Sequence, residues 1–234
     1  NFIDKLNFQE SKIITKFSLP KQNKNKFLDN LQTELLNKKK QFKIKNYEAI
    51  LLHNVNDLHS TFKNKIIANL KNLKKQKQVK KIGVSIYSPN DLKVVFANFD
   101  PDFIQAPINV FDKRLIESDW MKIIKKKKVS IQARSVFLQG LLLMSPKELK
   151  KQKINKKLIK QIQDFEKWCK KKKISRLEAC LQFINNLNSV SYLTVGVNSK
   201  RNLVEILNAS KKRKKIDFKD FSLGNTKLID PRKW

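Results

Sequence analysis

The feature that most constrains this chain is an alternation running from end to end. Short β-branched runs take turns with longer segments whose apolar residues recur at helical spacing. The first run is Ser-Lys-Ile-Ile-Thr-Lys-Phe at 11–17, closed by Ser18, Leu19 and Pro20. Residues 24–38 follow, with Phe27, Leu28, Leu31, Leu35 and Leu36 on one side of a helix. Residues 47–53 read as the next strand. Phe62, Ile66, Ile67, Leu70 and Leu73 predict a helix over 57–75, capped by Asn56 or Asp57. Further strands are expected at 82–87, 103–108, 129–136 and 192–197. Ser88-Pro89-Asn90-Asp91 reads as a cap with proline at the first helical position. Other helices are expected within 111–125 and over 156–171, 175–187 and 201–209. Residues 216–234 carry no period and are expected to form an irregular tail.

Six strands alternating with helices imply right-handed crossovers and a parallel sheet buried on both faces. No Pro/Gly/Ser-rich linker interrupts 1–234, so a single domain is expected. Doubly wound nucleotide folds place a glycine-rich turn after their first strand. This chain has four glycines and no GxGxxG. A (β/α) barrel needs no such turn. The expected fold class is therefore α/β, a (β/α)8 TIM barrel with about six βα units.

An apolar fraction of 40% is enough for a core, and 31% charged residues argue for a soluble protein. The apolar run near Leu141–Met144 is too short to span a bilayer, and no export signal opens the chain. Cys169 and Cys180 form no CxxC pair, which fits free thiols in a cytoplasmic protein. The net charge of +32 predicts attraction to polyanions. Its lysine clusters fall at 38–40, 74–81, 125–128, 150–157, 170–173 and 211–215, spread along the whole chain. No zinc spacing, helix-turn-helix or aromatic-interleaved patch accompanies them. They read as a solvated surface rather than a specific nucleic-acid site, with polyanion binding as the competing reading.

In a parallel barrel the C-terminal ends of the strands share one mouth. There stand Lys16, His53, Ser85, Gln105 with Asn109, Arg134 with Ser135, and Asn198 with Ser199. Taken singly, each has an ordinary structural reading: a snorkelling lysine, a hydrogen-bonded histidine, amides closing loops. Their succession points to a site. No carboxylate pair is present for glycoside hydrolysis. His53 and His59 straddle a strand end and a helix start and lack metal-ligand spacing, so no metal is expected.

The motifs TK at 15–16, LLHN at 51–54, IGVSIYS at 82–88, IQAPIN at 104–109, RSVFLQGLLL at 134–143 and VGVNSKRNLVEIL at 195–207 occur in this order. Over nearly its whole length the chain resembles the aldo/keto reductase family. LIDPRKW at 228–234 resembles the end of a bacterial branch often found with surface-sugar genes. The resemblance implies an NADPH-dependent oxidoreductase (NADH possible) passing hydride between nicotinamide and a small carbonyl or alcohol. It implies Lys16 and His53 as catalytic residues, the lysine lowering a tyrosine's pKa and the histidine orienting the carbonyl. It places Ser85 and Gln105 on the nicotinamide amide, Arg134 under the ring, and Ser135, Phe137 and Gly140 beside the pyrophosphate. Gly196, Asn198, Ser199, Asn202 and Glu205 fall to the adenosine end, with Lys200 and Arg201 available to an extra phosphate. Ile86 and Ile206 depart from asparagines common in the family. The motifs match family strands three to eight. The D-T-A-x-x-Y-G motif that supplies an aspartate and the tyrosine has no counterpart, so the expectation is an N-terminally truncated member, inactive alone. A catalytically silent cofactor-binding barrel is the alternative from the same motifs.

Overall fold

The computed structural model describes residues 11–212 and 216–234. Part of the lysine cluster at 211–215 lies outside the described residues. Contacts group the chain into two units, one built from 1–105 with Lys126–Ser130, the other from Ala106–Lys125 with Ile131–Trp234.

The first unit carries β1 (Ile13–Phe17), α1 (Lys24–Gln41), β2 (Tyr47–Leu52), α2 (Lys63–Lys75), β3 (Val79–Ser85), α3 (Asp91–Asn98) and the start of β4 (Phe103–Pro107). All six residues of β2 are buried, as expected for a strand covered on both faces. Leu28, Leu31 and Leu35 are the buried stripe of α1, each contributing roughly 1.5–3 kcal/mol by leaving water. The segment after β2 departs from expectation. Val55–His59 is a separate 3-10 turn capped by the Asn54 side chain, and α2 starts only at Lys63. Asn54 lies two residues past the end of β2, and its side-chain carbonyl oxygen accepts from the Asn56 amide at 3.2 Å. Nor does Pro89 open α3. The Asp91 carboxylate accepts from the Tyr87 and Ser88 amides at 2.8 and 3.0 Å, and that closed turn delays the helix to Asp91 itself.

The second unit carries α4 (Trp120–Lys126), β5 (Ser130–Arg134), α5 (Pro146–Lys151), α6 (Lys156–Lys171), α7 (Arg176–Asn185), β6 (Tyr192–Leu193), α8 (Lys200–Lys211) and α9 (Thr226–Ile229). Helix α5 was missed in the sequence although its signal is plain. Ser145 and Glu148 form a reciprocal capping box around Pro146 at the first helical position. β6 is two residues long instead of six, because pairing with β5 extends only over Gln132↔Tyr192 and Ala133↔Leu193. The tail is more ordered than its sequence suggests. Phe218 and Phe221 join a ring cluster with Phe111, Phe165, Trp168 and Phe183, centroids 5.4–6.3 Å apart, and α9 and a 3-10 turn at Pro231–Lys233 follow.

The strand order is β1-β2-β3-β4-β5-β6 in one six-stranded sheet. The pairings β1–β2, β2–β3, β3–β4 and β5–β6 are parallel. Parallel strands in sequence order, joined through helices, give the expected class: α/β, an incomplete (β/α)8 barrel of six strands.

Candidate functional site

Strand register decides which side chains meet. Lys16 pairs with Leu51, and Leu51 with Gly83; Ser85 pairs with Gln105. Side chains two apart on a strand share a face, so Lys16, His53, Ser85 and Gln105 all project to the same side of the first unit. His53 follows the last residue of β2, and its amide donates to the Phe17 carbonyl at 2.8 Å, which continues the ladder by one step.

The four are linked in two groups. The Lys16 ammonium donates to Gln105 Oε1 at 3.1 Å, and the Ser85 hydroxyl donates to the same oxygen at 3.2 Å. Ser85 and Gln105 are 1% and 5% exposed, so their mutual bonding is what makes this polar burial tolerable. The lysine is largely exposed and the imidazole half-buried. His53 Nδ1 lies 3.3 Å from Ser18 Oγ. In the sequence Ser18 reads only as a residue closing the first strand, yet it sits two residues after Lys16 and therefore on the same face. Gly83 is also part of the arrangement, since a Cβ there would collide with the Phe103 carbonyl of β4.

A cavity of about 200 Å³ lies beside β1, lined by Phe27, Leu31, Leu35 and Ile50. Ile50 pairs with Thr15, which puts this cavity on the helix-facing side of the strands, away from His53 and Ser85. Lys16, Ser18, Glu34 and Lys38 also line it, so it is a mixed polar and apolar space between β1 and α1 that meets the polar row only at its Lys16 and Ser18 end.

In the second unit Arg134 ends β5, and its Nη1 donates to Ser135 Oγ at 3.3 Å. Ser135 has a left-handed φ of 54°, as do Leu138 (47°) and Gln139 (56°), so the backbone from Arg134 to Gly140 coils tightly. The buried Asn109 side chain fastens this loop, donating to the Ser135 carbonyl at 3.0 Å while accepting from the Phe111 and Asp112 amides. Phe137 and Gly140 lie on that coil, half-buried. Gly196 and Asn198 are exposed, and Ser199 caps α8 by accepting from the Asn202 amide at 3.1 Å. Glu205 pairs with Arg201 at 3.0 Å. Ile86 and Ile206, the two departures, are core residues, 1% and 5% exposed. Among the described residues no cluster of His, Cys, Asp and Glu could hold a metal ion.

A sequence model of the aldo/keto reductase family matches residues 7–222. The chain belongs to the aldo/keto reductase family. Among solved structures it is similar to the apo and holo forms of an aldo-keto reductase from Bacillus halodurans. Identity is 17% in both, with TM-scores of 0.65 and 0.64 over 85% and 86% of this chain. At that identity the likeness concerns the fold. The chain spans 65% and 66% of those reductases, slightly under two thirds of their length. The curated proteins contain no significant match. Every aldo/keto reductase-like motif named above falls inside the matched region except LIDPRKW.

Proposed function

We propose that this protein is the cofactor-binding and carbonyl-orienting part of an NAD(P)H-dependent oxidoreductase acting on a small carbonyl or alcohol. The observation that carries the reading is the shared face of Lys16, His53, Ser85 and Gln105, with Lys16 and Ser85 both held on Gln105 Oε1. The donor set suits a nicotinamide carboxamide, which offers one acceptor and two donors to a hydroxyl and an amide side chain. Bound there, the dinucleotide supplies the hydride.

The chain's own residues would handle the charge that hydride addition creates. With the Ser18 hydroxyl donating to Nδ1, the His53 proton resides on Nε2, where it can donate to a carbonyl oxygen as negative charge develops. Gln105 fixes the position of the Lys16 ammonium, whose charge would favour ionisation of a neighbouring acid. Arg134, Ser135, Phe137 and Gly140 would carry the ring and pyrophosphate. Gly196, Asn198, Ser199, Asn202 and Glu205 would hold the adenosine end. Arg201 is already engaged by Glu205, so a preference for NADPH over NADH falls to Lys200. The motif that supplies the family's Asp and Tyr has no counterpart in this sequence, so carbonyl turnover by these 234 residues alone is not expected. Free buried Cys169 and Cys180 fit a reducing, cytoplasmic setting, and among the described residues no helix is long and apolar enough to cross a membrane.

The test is a fluorescence titration of NADPH and NADH against this chain. Ser85→Ala and Gln105→Leu are expected to weaken binding by about tenfold, the cost of a buried partner left unsatisfied. Lys16→Met and His53→Ala should change it by no more than about threefold. Absence of binding, or equal losses in all four variants, would refute the assignment. Steady carbonyl turnover by residues 1–234 alone would refute the expected inactivity.

A further inference from the structure

We propose that the first unit carries a second functional surface, at the end of the sheet opposite Lys16 and His53, which docks the phosphate backbone of a double-stranded nucleic acid without reading its sequence. Parallel pairing gathers the strand starts at this end. Tyr47 pairs with Val79, the Asp102 amide donates to the Ile82 carbonyl, and the Ser130 amide donates to the Asp102 carbonyl. The links that enter β2, β3 and β5 therefore lie side by side, and they hold Lys40, Lys43 and Lys45, then Lys75 and Lys77, then Lys126 and Lys128, all exposed. Six residues of strand separate Val79 from Ser85, so the two ends stand about 20 Å apart.

The carboxylates at this end are already committed. Glu48 is held by Lys80 and Lys81, Asp102 by Lys74, and Asp100 by Lys127. Among the described residues the seven lysines named first make no ion pair, so their charge faces solvent unneutralised.

The three links share one backbone feature. Lys43, Lys77 and Lys128 have φ of 51°, 56° and 53°, the left-handed region where glycine fits and a side chain is strained. Attraction to the helix macrodipole explains lysine inside the last turn of α1 and α2. At the strained positions beyond, that attraction is the smaller effect. Lys173, which closes α6 in the second unit, has the same conformation (φ 54°), so left-handed lysine is how this chain ends several helices; what distinguishes this end is that three such links lie side by side. The chemistry selects the partner. Ammonium groups on flexible stems contact phosphates as point charges. The links hold no arginine for base edges and no exposed aromatic ring for stacking single-stranded bases. An exposed apolar wedge for lipid insertion is also missing from them.

The experiment is a salt titration of binding to a labelled duplex of mixed sequence, by fluorescence anisotropy. Lys43→Gly, Lys77→Gly and Lys128→Gly are combined; each relieves strain, so loss of binding cannot be loss of fold. Loss of three phosphate contacts should lower the slope of log affinity against log salt by about 2.7 and the affinity by about tenfold or more. A control with Lys170→Gln, Lys171→Gln and Lys173→Gly removes the same charge from the second unit and should change the slope by less than about 1. Equal losses in both triple variants would mean that only total charge matters and would overturn the proposal. Tighter binding to phosphatidylserine vesicles than to the duplex, at matched phosphate, would overturn the choice of partner.

Discussion

Replacing Lys77 by glycine should stabilise the protein, although it removes a side chain and adds flexibility. α2 ends in a Schellman motif: the Gln78 amide donates to the Leu73 carbonyl and the Lys77 amide to the Lys74 carbonyl, both at 3.0 Å. The motif requires a left-handed residue, and Lys77 supplies it at φ 56°. The same hydrogen-bond pair closes α1 at Lys43 and α6 at Lys173. For an L residue the left-handed region costs roughly 1–2 kcal/mol. Glycine removes that cost but gives back about 0.4–1 kcal/mol through the greater freedom of the unfolded chain. The net gain is about 0.5–1 kcal/mol per site. These sites close three different helices and share no partner, so the gains should add to about 2 kcal/mol. For a chain of this length that is a rise in Tm of about 4–8 °C. Urea unfolding followed by circular dichroism should show a higher midpoint at unchanged slope for Lys43→Gly, Lys77→Gly and Lys173→Gly combined. Lys75→Gly, in the helical last turn two residues earlier, should instead lose about 1 kcal/mol. If Lys77→Gly and Lys75→Gly shift the midpoint in the same direction, the reasoning from backbone conformation is wrong.

Arg114→Met should destabilise by about 3–5 kcal/mol, because Asp112 is 1% exposed and would lose the guanidinium 2.7 Å away. Asp112→Asn in the same background should recover part of that loss in a urea titration. Gly83→Ala should disrupt the β3–β4 contact at the Phe103 carbonyl and weaken NADPH binding together with stability; a variant with wild-type midpoint and affinity would contradict the close approach of the strands. Burial pushes the Cys169 thiol up to about 12 and the Cys180 thiol higher still. Neither should react with a thiol reagent at neutral pH in the folded protein, and both should react in denaturant. Rapid modification of the native chain would show that α6 and α7 open.

Much of the architecture was legible because it depends on periodicities that a single segment already carries. A run such as Ile50-Leu51-Leu52 has no polar face to offer, so it can only become an interior strand. Lys156–Lys171 places Leu158, Ile162, Phe165 and Cys169 on one side and was readable as a helix at its observed bounds. The local failures came where a short-range hydrogen bond overrode the pattern: Asn54 before α2, and the Asp91 carboxylate before α3. β6 failed for the opposite reason. Its residues are strand-like beyond Leu193, yet a strand exists only as far as its neighbour pairs with it.

The sequence by itself determined the order of strands and helices and the polar residues that stop each strand, because both are written in local chemistry. Tertiary structure decided which of those residues meet. Nothing within 15–18 shows that Lys16 will rest on an amide 89 residues later, or that Ser18 will face His53. Both follow from parallel register, which fixes side-chain parity across strands and is set by the whole sheet. Register likewise brought three distant lysine-bearing links to one end of the first unit, and only backbone geometry revealed that three of those lysines stand where glycine would cost less.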